Sequence, residues 1–263
     1  MRRWMSLSIM VLVITSAAFA QDARLRRLDT SDAGKTWEAV GRLDIGGTGF
    51  CTGALIAPDL VLTAGHCLFD KASGAPIDPQ TIEFLAGWRN GRASAYRDVR
   101  RAVVHPEYAF EGDVSSERVR NDLALLQLAR PIRNSKIAPF GTAARPRKGD
   151  KVGVVSYAKD RAEAPSLQEV CTVLARQEGV LVTSCSVDFG SSGAPIFTFE
   201  NGAAHIVSVV SAKAEVKGDK VSLGTALGAP LARLQAEMIA TADAGRVRVG
   251  GIRNDTGAKF IKP

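Results

Sequence analysis

The chain has 263 residues, 46% of them hydrophobic and 23% charged, with a formal net charge of +7. That balance supports a substantial buried core and excludes a chain that is mainly disordered. Its four cysteines, at 51, 67, 171 and 185, never stand at CxxC spacing, which excludes a structural zinc module and a thioredoxin-type redox site.

The N-terminus runs from Met1-Arg2-Arg3 through an apolar stretch to Ala18-Phe19-Ala20. A basic start, a short apolar run and a small-x-small end read as a secretory signal over residues 1–20, cut after Ala20. The run is interrupted by Ser6, Ser8, Thr15 and Ser16 and is too short for a membrane span. Cleavage removes Arg2 and Arg3 and no acid, which takes the charge from +7 to +5. The basic clusters at 100–101 and 145–148 have no interleaved aromatics and read as solvated loop faces. Neither nucleic acid nor, after signal cleavage, a membrane is therefore expected as a partner. The expected location is secreted or periplasmic, and a monomer is expected.

Export to an oxidising compartment makes two disulfides from four cysteines. Three pairings are possible. Cys51–Cys67 and Cys171–Cys185 are favoured because each pair lies within one local segment. Each would close a loop of roughly 15 residues, worth about 3 kcal/mol in the chain-entropy view.

Residues 21–36 are polar and lack periodicity, and read as a leader or flexible arm. From Trp37 onward short apolar runs are punctuated by Gly, Pro, Asp and Asn, as at 54–56, 60–62, 82–85, 103–104, 123–128, 151–155, 180–182 and 206–210. Runs of that length and spacing predict an all-β domain over 37–245 rather than alternating strands and helices. The stretch 131–139 divides it into halves of about 37–130 and 131–229. One helix is expected over 230–244, with Pro230 at its start, Gly245 past its end, and Leu231, Leu234 and Met238 on one buried face. Residues 246–263 read as a basic tail, with one strand expected at 247–249 and a match to a glycosylation sequon at Asn254.

Three segments carry chemistry. In Leu62-Thr63-Ala64-Gly65-His66-Cys67 a histidine is held beside a cysteine after an apolar strand. In Asn121-Asp122-Leu123-Ala124-Leu125-Leu126 an aspartate precedes a very apolar strand, so its carboxylate needs a partner, and an imidazole N–H is a good one. In Phe189-Gly190-Ser191-Ser192-Gly193-Ala194-Pro195 glycines flank two serines and let the backbone turn sharply with its amides free. Serine needs an adjacent base to attack an acyl carbon. Histidine can take and return that proton, and backbone N–H groups can receive the oxyanion. His105 and His205 have no such setting and read as structural, with His105 in a turn before Pro106. No metal and no cofactor is implied.

These segments resemble the trypsin/chymotrypsin family of serine endopeptidases, in the family's order of His, Asp, Ser. Phe50-Cys51-Thr52-Gly53-Ala54-Leu55-Ile56, His105-Pro106-Glu107-Tyr108 and the segment from Ile206 to Ser211 support the likeness, which covers about 37–240. The resemblance implies two six-stranded antiparallel barrels with a C-terminal helix, and an active site in the cleft between the barrels. It makes His66 the base, Asp122 its orienting partner and Ser192 the nucleophile, with the Gly190 and Ser192 amides as oxyanion hole. It implies a protein or peptide substrate. Cys51–Cys67 matches a disulfide that braces the histidine loop in the family. Cys171–Cys185 would tie a second-barrel strand to the segment that leads into the nucleophile loop.

Two departures stand out. Animal members carry an aspartate before the nucleophile, where this chain has Ser191, and no Ile-Val-Gly-Gly-like start appears near 24–30. Both resemble the bacterial glutamyl-endopeptidase-like branch, and they argue against activation by an inserted N-terminus. Ser186 falls at the pocket floor that is acidic in trypsin-like members, so a preference for Arg or Lys is not expected. Ser211 and Lys213 are the other substrate-binding candidates. Lys213 either favours an acidic side chain or points to solvent. The competing function class is an inactive binding module of the same fold. A lipase-type hydrolase would need the order Ser, Asp, His.

Overall fold

A computed structural model describes residues 25–47, 49–112, 114–143, 146–216 and 218–244. The signal segment, the tail with its expected strand at 247–249, Asn254, and Arg145 of the basic cluster lie outside the described residues.

The described chain opens with β1 (Arg26–Arg27), α1 (Ser31–Gly34) and a 3-10 turn over Lys35–Trp37. The first barrel follows: β2 (Val40–Ile45), β3 (Gly49–Ala57), β4 (Leu60–Thr63), β5 (Ile82–Ala86), β6 (Ala95–Val104), the short helix α2 (Ser116–Asn121) and β7 (Ala124–Leu128). It closes in the order β2-β3-β4-β7-β6-β5, with every pair antiparallel. The second half contributes β8 (Gly141–Thr142), β9 (Lys151–Ser156), β10 (Ser166–Gln177), β11 (Val180–Thr183), β12 (Pro195–Glu200), β13 (Ala203–Val216), β14 (Asp219–Ala226) and α3 (Gly228–Ala244). Here β10-β11-β14-β13-β12-β9 form a path that the β10–β9 pairing closes into a second six-stranded antiparallel barrel. The expected fold class is the observed one.

Closure explains the sequence texture. Both barrels bury the inward side of every strand, and the central strand β7 is apolar at four of five positions, all of them buried. Leu43, Leu55, Leu62, Phe84 and Leu125 fill the first barrel's interior, and Val154, Val173, Leu181, Ile196 and Val207 fill the second. Helix α3 begins two residues earlier than the sequence suggests, at Gly228, and buries Leu231, Leu234 and Met238 as expected.

The stretch read as a flexible arm differs from that expectation wherever it is described. β1 pairs with β10, Thr30 caps α1 by accepting the Ala33 N–H, and Leu28 is wholly buried. Trp37 then packs on Phe140 and Phe197, with ring centroids 6.0 and 5.0 Å away. Two large apolar side chains anchor a polar segment whose lack of periodicity concealed them.

Candidate active site

Each barrel delivers part of one cleft. β4 leads into a 3-10 turn, Gly65–Leu68, that carries His66, and the Cys51–Cys67 disulfide ties this turn to β3 with Cα atoms 6.3 Å apart. Helix α2 ends at Asn121, so Asp122 sits at its C-cap just before β7 and is 2% exposed. Gly65 packs tightly beside it: a Cβ there would stand 3.2 Å from Asp122 Oδ1.

Asp122 is held by three donors. The His66 backbone N–H donates to Oδ1 at 2.8 Å. His66 Nδ1 lies 2.7 Å from Oδ2, and the Ser211 hydroxyl donates to the same oxygen at 2.5 Å. With Nδ1–H committed to the carboxylate, the ring presents Nε2 as its acceptor. The Asp122 backbone carbonyl in turn accepts the Thr225 hydroxyl of β14, at 3.1 Å. Ser211 and Thr225 belong to the second barrel and Asp122 to the first. The pairing of these partners therefore depends on how the barrels dock.

The loop 189–193 is fixed peptide by peptide. The Phe189 carbonyl accepts the Lys159 N–H at 2.8 Å, the Gly190 carbonyl accepts the Thr52 hydroxyl at 2.8 Å, and the Ser192 carbonyl accepts the Thr52 N–H at 2.8 Å. The Ser191 N–H goes to Asp188 O and the Gly193 N–H to Val210 O. Among the described residues, the N–H groups of Gly190 and Ser192 have no protein acceptor. Gly190 (φ +95°) and Gly193 (φ +78°) both use left-handed backbone. A Cβ on Gly193 would stand 2.1 Å from Thr63 Oγ1, so no side chain fits that turn.

Ser191 and Ser192 have different surroundings. Ser191 is fully buried, with its hydroxyl 3.2 Å from both Ser156 Oγ and Tyr157 O. Ser192 opens on a cleft of about 430 Å³ that also takes in His66, Asp122, Val187, Val210 and Ser211.

The specificity candidates divide. Lys213 lines the cleft with a solvent-exposed side chain whose ammonium pairs with Asp188 Oδ1 at 2.9 Å and lies 4.3 Å from the centre of the exposed Phe189 ring. The hydrogen bonds from Lys213 and from the Phe189 N–H hold the Asp188 carboxyl below the usual carboxylate range. Ser211 lines the cleft too, with its hydroxyl committed to Asp122. Ser186 is placed elsewhere. It lies outside the cleft lining, exposed, with its N–H donated to Gln168 Oε1 at 2.7 Å. The Cys171–Cys185 disulfide ties the neighbouring residue to β10.

Sequence reasoning overlooked Thr52. It is fully buried, and the one signal available was a hydroxyl residue in an otherwise apolar strand, next to a cysteine. It also overlooked Tyr108, on the cleft wall, whose phenol is pushed up to about 12 chiefly by burial, with the Asp122 charge adding to it. His105 is buried in its turn, accepts the Glu107 N–H, and has its pKa lowered by burial. Cys51, His66 and Cys67 lie close together, but the disulfide consumes both thiols, which leaves no metal-binding set there.

Comparison with known proteins gives a consistent result. The trypsin family model matches residues 29–225. A glutamyl endopeptidase of Bacillus licheniformis is 27% identical over 151 residues, 57% of this chain and 45% of that protein. A modular serine protease of Drosophila melanogaster is 35% identical over 89 residues, 33% of this chain and 14% of that protein. The matched stretch thus spans less than half the length of these curated relatives. A solved structure of a Glu endopeptidase in complex with MPD superposes with a TM-score of 0.65 at 18% identity, covering 83% of this chain and 97% of that one.

Proposed function

Because the chain belongs to the trypsin family, on its glutamyl-endopeptidase-like side, we propose that it is an exported serine endopeptidase that works through an acyl-enzyme. Ser192 Oγ attacks the scissile carbonyl carbon as its proton passes to His66 Nε2. The carbonyl oxygen becomes an oxyanion facing the Gly190 and Ser192 N–H groups. Collapse expels the amine, which takes the proton from His66. Water, deprotonated by the same imidazole, then releases the acid from Ser192. Asp122 keeps the ring in the required tautomer and stabilises its protonated form.

The observation that carries this reading is the Asp122 carboxylate with its three donors, one of them His66 Nδ1 at 2.7 Å, at the wall of the cleft onto which Ser192 opens. The two unpaired amides of the adjoining loop support it. Two disulfides support export, since such bonds persist outside the reducing cytoplasm. Substrate side chains would enter a wall of Val187, Val210 and Ala212, beside which Asp188 is already paired with Lys213 and Asp122 with His66. That lining does not favour Arg or Lys.

The test is labelling by a serine-reactive fluorophosphonate, paired with cleavage of a diverse peptide library. Labelling at Ser192 and hydrolysis are expected. An unlabelled, well-folded protein would instead be a binding module, and cleavage dominated by Arg or Lys would overturn the pocket assignment.

A further inference from the structure

The residue before Ser192 is an uncharged, buried serine, so no carboxylate is present to receive a newly cut N-terminal ammonium. A buried ammonium without a partner is costly. The loop must be set by something else, and the structure offers a resident cation. Lys159–Arg161 form a single 3-10 turn after β9. The Lys159 N–H takes the Phe189 carbonyl at 2.8 Å. In a trans peptide N–H and C=O point in opposite directions, so this bond turns the Gly190 N–H away from Lys159. The last residue of the turn sends its side chain underneath the loop. The Arg161 side chain is 13% exposed, with Nη2 3.4 Å from Ser156 Oγ and 3.5 Å from Ser191 Oγ. Nη1 reaches the exposed Asp160 at 3.1 Å, and Nε is buried without a partner. A guanidinium stays charged at any working pH and spreads several donors in one plane, which suits a cation that must touch two hydroxyls at once.

We propose that Arg161 is a positioning residue for the oxyanion hole: its guanidinium, seated beneath the nucleophile loop against Ser156 and Ser191, fixes the turn whose Lys159 N–H orients the Phe189–Gly190 peptide. The chain thereby carries in a side chain the loop-setting cation that digestive members of the family obtain from a cut N-terminus. The two guanidinium contacts are long, and their effect comes from being buried and simultaneous. This inference rests on Ser192 being the nucleophile.

The experiment compares full-length wild type with Arg161→Ala and Arg161→Lys. It measures kcat and KM on a peptide amide, inhibition by a peptide aldehyde that forms a tetrahedral adduct, and the melting temperature. For Arg161→Ala, kcat should fall about 100-fold, the lower end for loss of an oxyanion-hole donor, with KM nearly unchanged. Aldehyde affinity should fall by the same factor. Methylguanidinium in solution should restore part of the loss, and Arg161→Lys, with a point charge in place of the fork, should recover less than the wild-type rate. Unchanged kcat and aldehyde affinity would overturn the proposal. So would a loss of kcat that tracks the melting temperature while the aldehyde binds as before. Should Arg161→Ala not fold, Arg161→Gln, which keeps the stem and one amide, is read in the same measurements. A wild type that fluorophosphonate does not label overturns the Ser192 assignment along with this inference, whereas a labelled wild type with unaffected variants overturns this inference alone.

Discussion

At the scale of single residues, the two adjacent serines give the sharpest expectation. Ser192→Ala should lose on the order of 10⁶ in kcat, as loss of a triad serine does. Ser191→Ala removes one of the two hydroxyls against Arg161 but leaves the Ser156 contact that seats the guanidinium, so fluorophosphonate labelling and much of the rate should remain. Activity surviving in the Ser192 variant and lost in the Ser191 variant would reverse the assignment. A second expectation concerns the Asp188–Lys213 pair. Because its partners depress the Asp188 pKa, the pair is intact above the usual carboxylate range and is lost as pH falls through the lowered value. Asp188→Asn should release Lys213 at neutral pH. Cleavage after Glu relative to Gln should then rise about tenfold, the scale of one charge-assisted hydrogen bond. An unchanged ratio on matched peptides would mean that Lys213 does not reach the bound side chain.

At the scale of elements, the legible parts are those whose chemistry is local. His66 beside Cys67, Asp122 before an apolar strand, and serines between glycines each announce themselves within a few residues. The disulfides lie 16 and 14 residues apart and are nearly as local. Strands β10, β12 and β14 were less legible. They mix polar with apolar residues because only one side faces the barrel interior, as in the exposed Glu169 and Val170 of β10. The hydroxyl of Thr52 was illegible as a site feature because its acceptor, Gly190 O, is 138 residues away. Strand β3 thus supplies both a wall of the first barrel and a clamp on the nucleophile loop. Thr52→Val keeps the shape and the backbone bond to Ser192 but leaves the part-buried Gly190 carbonyl and the buried Tyr157 N–H unpaired. The variant should lose about 1–3 kcal/mol of stability, the range for such a group. Its kcat should fall while KM holds, measured by chemical denaturation alongside steady-state kinetics. A variant as stable and as fast as wild type would remove Thr52 from the site.

At the scale of the whole molecule, residues 25–36 pack on the fold through the β1 pairing and the buried Leu28. Leu28→Ala should cost about 2–5 kcal/mol, as truncation of a fully buried leucine does. Activation should not depend on a free α-amine. Protein starting at Gln21, protein with extra N-terminal residues and protein with an acetylated terminus should share one kcat/KM. A large loss on blocking the amine, restored by trimming to one defined start, would contradict this.

The hydrogen bonds that cross from one barrel to the other have a further consequence. Asp122 takes a hydroxyl from Ser211 and Thr52 holds two carbonyls of the nucleophile loop, so the reacting groups are aligned only while two separately closed bodies stay in register. Catalysis then works as a strain gauge on a mechanical joint. Mild urea that loosens the joint should silence the enzyme while circular dichroism still records intact strands. Substitutions in the seam between the barrels, far from any substrate, should shift that inactivation midpoint without shifting the unfolding of either barrel.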